Sequence, residues 1–217
     1  MRRVPAIARE AGAALIVCML MMVVILLLGT SAAQIALQEE KASRQERDRL
    51  VAFVASEAAL KDAEIDVEKS PRVELFMKEA KAYAGGYCEA GAANPLLGLC
   101  HPAGRDMFPV WQKIHHNPGM ISVPLGYLTG RSSALTDSAV PPRYLIEVLP
   151  DPLSRADGAD SLSRTTFRIT AIGYGSNERT QVVLQSYFRK STEGKWSRIG
   201  WREILNWEEL REALERD

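Results

Sequence analysis

Charge of neither sign is in excess in this chain: 27 lysines and arginines stand against 27 aspartates and glutamates in 217 residues. A balanced chain offers neither the basic face that nucleic acid needs nor a polybasic patch for anionic lipid, so no nucleic-acid partner is implied. Catalytic signatures are missing too. GxSxG, HExxH, the P-loop and GxGxxG are all absent, and no serine sits in a recognisable nucleophile context. The sequence names no catalytic residue and no cofactor. Histidine is scarce. Of the 3 present, His115 and His116 are adjacent, but no Asp, Glu or Cys stands beside them at ligand spacing, so a solvated loop pair is the better reading. Asp151, Asp157 and Asp160 around Gly158 miss the EF-hand pattern and read as a polar loop, which leaves no metal ligand to name.

Charge is missing most conspicuously from one stretch. Ala13 to Ala33 reads AALIVCMLMMVVILLLGTSAA, and the next charged residue is Glu39. A run of roughly 20 apolar residues crosses a bilayer as one helix. Arg2, Arg3 and Arg9 precede it and no basic residue follows closely, which orients the N-terminus toward the cytoplasm. Cys18, inside the run, reads as a small packing residue. A cleavable secretory signal is the competing reading, with Ser31-Ala32-Ala33 as its small-residue cleavage site. Glycine and proline are then absent from Ala32 to Lys69, a segment dense in Ala, Gln, Glu, Lys and Arg. A single helix over 13–69 is predicted, on the order of 85 Å long at ~1.5 Å per residue, with Gly29 its weak point and Ser70-Pro71 its stop.

At 100° per residue the second half of that helix carries two apolar stripes. Val51, Val54, Ala58 and Ile65 form one; Phe53, Leu60 and Val67 form the other. Glu57, Lys61 and Glu64 lie between them, and Glu57 and Lys61 have the spacing of an i,i+4 pair. Two stripes imply either a partner beyond the chain's own domain or one domain that covers both. Residues 70–217 read as a head. A short helix spans Arg72 to Ala84 and ends at Gly85-Gly86, and Gly91 to Pro142 is loop-rich. Alternation then predicts three or four antiparallel strands over about 143–201, one face buried against the long helix, with turns at 173–177 and Glu193-Gly194 and a polar insert at Asp151–Ser163. Asn206 three residues before Glu209 starts a terminal helix over 207–216. Trp196, Trp201 and Trp207 fill a small core or form an exposed adhesive patch.

Only three cysteines are present, and Cys88 and Cys100 flank a loop rich in Gly, Ala, Asn and Pro. If that region lies outside the cytoplasm, a disulfide is the natural reading, with two free thiols or a metal pair beside His101 as the alternatives. Closing such a loop stabilises by roughly 3 kcal/mol on the chain-entropy estimate.

A polar leader that ends in Gly12 and passes without a spacer into Ala13-Ala14-Leu15-Ile16-Val17 is how prepilins begin. With Arg47-Asp48-Arg49 through Phe53, Glu57 to Glu64, Pro142 to Glu147, Phe167 to Gly173 and Val182 to Ser186, the chain resembles the type IV pilin family, and within it the PilX-type minor pilins. The resemblance implies an α+β pilin-like fold: a leader over 1–12, a long helix over 13–69 with a transmembrane part at 13–33, and a small antiparallel sheet in the head. It implies cleavage by prepilin peptidase after Gly12 and N-methylation at Ala13, which leaves 24 basic against 26 acidic side chains. Its implied partners are other minor and major pilins, and inner-membrane lipid before assembly. The head would lie in the periplasm and later on the cell-surface pilus. Two departures stand out: Ala13 replaces the usual Phe at the first mature position, and Val17 stands where major pilins place Glu. That Glu is held to offset a neighbour's N-terminal ammonium, so a subunit without it fits a priming position at or near the tip, in twitching motility or adhesion. K-type pseudopilins of type II secretion share the Val17 departure, but that family usually carries a large extra α-domain for which this chain has no room. A membrane-anchored or secreted periplasmic binding protein is the remaining alternative.

Overall fold

The computed structural model describes residues 11–78, 86–104, 107–114, 121–132, 137–149, 165–191 and 193–216. Most of the leader, the end of the helix expected to reach Ala84, His115-His116 and the 151–163 insert lie outside them. The chain divides into two units, Met1–Glu46 and Arg47–Asp217.

Helix α1 runs Ala11–Lys69, 59 residues, and passes through Gly29 without interruption. It stops where the sequence placed the stop, one residue before Ser70-Pro71, and the Ser70 amide donates to the Asp66 carbonyl at 3.0 Å. In the first unit every described side chain from residue 14 to 46 is exposed.

The second unit is an α+β head built on the C-terminal part of α1. After α2 (Arg72–Lys78) come β1 (Tyr87–Cys88), β2 (Leu99–His101), a 3₁₀ turn (Val110–Ile114) and β3 (Val123–Pro124). The long strands follow: β4 (Arg143–Leu149), β5 (Thr166–Tyr174), β6 (Gln181–Lys190) and β7 (Trp196–Glu203), then α3 (Trp207–Arg216). The sheet order is β1-β2-β4-β5-β6-β7, with β3 also on β4. The meander β4–β7 is antiparallel, whereas β2 pairs with β4 in parallel, Leu99 opposite Ile146, so the sheet is mixed. The region read as loop-rich thus supplies two short strands, β2 and β3, and β1 lies just before it; all three are too short for alternation to show.

The expectation of one buried sheet face is corrected to two. On one face Tyr144, Ile146, Phe167, Ile169, Ala171 and Leu184 pack with α1 and α2. On the other, Leu145, Ile172, Tyr174 and Val183 pack under the 3₁₀ turn and α3, with Trp111, Ile114, Ile204 and Trp207. Of the two expected stripes, Phe53, Leu60 and Val67 do meet the sheet, with Leu60 and Val67 buried, but the other stripe does not. Ala52, Ala55, Ala59 and Ala63 are fully buried, while Val54 is 56% exposed and Val51, Ala58 and Ile65 are only half-buried. Alanine wins this face because the backbones come very close. A Cβ added to Gly173 of β5 would stand 2.1 Å from the Ala52 carbonyl oxygen and 2.4 Å from the Ser56 nitrogen.

Candidate functional site

In the first unit the candidate site is the apolar surface of α1. Residues 14–38 carry no Asp, Glu, Lys, Arg or His, and all are exposed on every side of the helix. At ~1.5 Å per residue this stretch is about 37 Å long, enough to cross the hydrocarbon of a bilayer. Its few hydroxyls are satisfied within the helix: Thr30 and Ser31 both donate to the Leu27 carbonyl, at 3.0 and 2.8 Å. Back-bonding of this kind leaves neither hydroxyl looking for water, and the two amides, Gln34 and Gln38, lie at the end of the stretch next to Glu39. Val17 lies in this surface, 54% exposed. Gly12 and Ala13 belong to α1 by their backbone. Cys18 is a free, exposed thiol in the same surface.

In the second unit α1 is held to the head by a row of ionic side chains. Asp48 accepts from the Ser176 amide at 2.6 Å and from the Ser176 hydroxyl, in the β5–β6 turn. The hydroxyls of Ser176 and Thr180 hold the Asp48 carboxyl below its ordinary value. Arg49 donates to Glu203 at 2.6 Å. Arg198 of β7 donates to Glu64 at 2.6 Å and to Glu57 at 2.7 Å. Asp62, fully buried, accepts from the Gly126 amide at 2.8 Å and from the Thr129 hydroxyl. Deepest is Asp66. It takes the forked guanidinium of Arg72 and the Tyr144 hydroxyl at 3.0 Å, while Arg72 also donates to the Leu97 carbonyl at 2.7 Å. Burial, with the Asp66 carboxylate second, pushes the Tyr144 phenol far above its ordinary value. On the opposite face of the sheet Glu147 is raised by its own burial, against the Arg168 guanidinium that donates to it at 2.6 and 2.7 Å.

These bonds correct the helix pairing read from spacing. Glu57 does not pair with Lys61; it turns to Arg198, and Lys61 donates to Glu64 at 3.2 Å. Spacing along one helix cannot show an arginine that arrives from a strand about 140 residues later. Asp62, Glu64 and Asp66 were therefore missed as docking groups; the only signal was a run of acids on the face that also carries the alanines.

Cys88 and Cys100 are joined by a disulfide between cross-strand partners of β1 and β2. Cys100 is fully buried, and the bond lies at the margin of the outer core. The tryptophans divide. Trp196 stacks on Phe188 at 5.5 Å, and Trp207 is buried and donates to Gln181 at 3.0 Å. Trp201 stays 54% exposed, edge-on to Phe53 of α1, with Val54 and Ile199 also open to solvent. Among the described residues no three of His, Cys, Asp and Glu come together to hold a metal ion.

Two family models match the chain in tandem. One, described as PilX N-terminal, covers residues 11–61; the other, described as type IV pilus assembly protein PilX C-terminal, covers residues 85–190. No curated protein and no solved structure matches the chain.

Proposed function

Because the chain belongs to the PilX family of type IV pilus assembly proteins, we propose that this minor pilin primes assembly from a position at or near the pilus tip. The observation that carries this reading is Val17, an apolar side chain in an uncharged helix surface. A Glu at that position, packed among apolar helices, would cost several kcal/mol unless a neighbour's ammonium met it. With Val17 there is no acid to meet, and the subunit can stand where no earlier subunit supplies the partner.

The rest of the cycle follows from the same surface. Prepilin peptidase cuts after Gly12, and Ala13 becomes the methylated N-terminus. Before assembly residues 13–33 lie in inner-membrane lipid with the head in the periplasm. The same apolar surface then exchanges lipid for the helices of other minor and major pilins. The row of carboxylates from Asp48 to Asp66 keeps the base of the helix fixed on the head, so the head's outer surfaces choose which subunits it meets.

The test is placement. Gold-labelled Val17→Glu and parent subunits are located along pili in a strain lacking the native gene. The Glu variant is expected to be processed normally and to move from the ends into the shaft. Identical distributions would remove the tip reading, and loss of secretion rather than piliation in the deletion strain would point to a pseudopilus.

A further inference from the structure

A small polar pocket lies on the head, away from the disulfide edge, where the β5–β6 turn, the end of β7 and the start of α3 meet. Its volume is about 200 Å³. Liquid water takes about 30 Å³ per molecule, and drug-sized ligands need at least about 300 Å³. The pocket therefore suits a small group, such as one side-chain head, and not a cofactor.

Its walls carry three arginines. Arg49 is already occupied by Glu203 at 2.6 Å. Arg179 and Arg211 are not: among the described residues neither guanidinium has a hydrogen bond or ion pair. The Nε of Arg211 is buried from solvent without a partner. Leaving a buried donor of a charged group unmade costs more than leaving a neutral one, and such a group in a native fold calls for an explanation. Glu208 also lines the pocket, and no ion pair joins it to either arginine. Trp207 keeps its Nε1 on Gln181, so the indole presents a fixed apolar wall. On the rim Leu205 is 83% exposed, the most exposed large apolar side chain of the described residues.

We propose that this pocket receives a carboxylate carried on another protein chain, an Asp or Glu side chain that bridges Arg179 and Arg211 while its backbone rests on Leu205. A planar guanidinium pair matches a carboxylate through charge-assisted hydrogen bonds. Leu205 separates the two sources of a carboxylate. A free small acid gains nothing from an exposed leucine on the rim, whereas an incoming chain covers it and gains apolar contact. The proposal adds a contact to the assembly reading and rests on it only for the presence of a neighbouring chain; binding of a peptide is measured independently of pilus incorporation.

The full chain in detergent micelles, in chloride buffer at fixed ionic strength, is titrated with three probes: a blocked pentapeptide with a central Glu, the same peptide with Gln, and succinate. Arginine Nε–Hε resonances are followed by NMR. The Glu peptide is expected to shift the Arg211 signal, the Gln peptide to leave it, and Arg179→Gln and Arg211→Gln each to weaken binding about tenfold. Arg179 is on an exposed turn, so its variant keeps the test open if Arg211→Gln folds poorly. Leu205→Ala should weaken the peptide alone. Succinate binding as tightly as the peptide, with Leu205→Ala neutral, would overturn the protein-borne source. No shift from either acid, or equal shifts from the Glu and Gln peptides, would overturn the pocket.

Discussion

The contact between α1 and the sheet is closest at Gly173, and replacing that residue with alanine tests the packing at its tightest point. The new Cβ would stand 2.1 Å from the Ala52 oxygen, 2.4 Å from the Ser56 nitrogen and 2.9 Å from the Ser56 Cβ. Ordinary contact begins near 3.4 Å, so the shortfall at the Ala52 oxygen is about 1.3 Å. The obstructing atoms are helix backbone rather than the far ends of flexible side chains. The helix must therefore lift from β5, and a radial gap of 0.5–1 Å already forfeits a quarter to a half of each dispersion well along it. Overpacking a tight core costs typically 1–3 kcal/mol, and the rigidity here argues for the upper end, about 3 kcal/mol. With an m-value of about 2 kcal/mol/M, the urea midpoint should fall by roughly 1.5 M. The assay is urea unfolding of the full chain in detergent, followed by tryptophan fluorescence. Gly200 is the control, since a Cβ there meets nothing within 4 Å, and Gly200→Ala should stay within about 0.5 kcal/mol of the parent. If Gly173→Ala unfolds with the control, the close approach of helix and sheet is wrong.

Removing the acid at the base of the helix should be costlier still. Asp66→Asn leaves Arg72 charged and buried, and about 3–5 kcal/mol should be lost in the same urea experiment, against about 1 kcal/mol for Tyr144→Phe. Replacing Cys88 and Cys100 together by serine should cost roughly 3 kcal/mol and make the melting temperature insensitive to reductant; a parent that is equally insensitive would contradict the bond's stabilising role. Asp48 has a depressed folded-state pKa, so its contribution is present above its ordinary value of 3.8 and is lost as pH falls through the lower folded value. The stability gap between parent and Asp48→Asn should accordingly be widest near neutral pH and close below about pH 4; a gap that is constant with pH would contradict the Ser176 contact.

Long elements were legible because their signals are long. The glycine- and proline-free run gave α1 with its stop at Ser70-Pro71, and alternation gave β4 to β7 within a few residues. β1, β2 and β3 were not legible: two or three residues carry no period, and β2 enters in parallel beside β4, which no local signal announces. On the helix the stripe of Leu60 and Val67 was legible, and the stripe of Val51 and Val54 was misread because bulk was taken for burial. Val54 is larger than Ala52, yet it is Ala52, with Ser56, that lies against Gly173 while Val54 stays exposed. The candidate site was legible where it is one-dimensional, in the uncharged run and in Val17. Arg179 and Arg211 share a pocket across 32 positions of sequence, and Glu57 finds Arg198 across 141. Only the folded chain brings such pairs together.

The central claim is that this chain is processed and stored as a pilin, and the N-terminus of the mature protein tests it most directly. Protein purified from membranes and digested without reduction is analysed by mass spectrometry. The account predicts an N-terminal peptide that begins at N-methylated Ala13. A chain that begins at Met1, or at Gln34 after signal-peptidase cleavage behind Ala33, would contradict it.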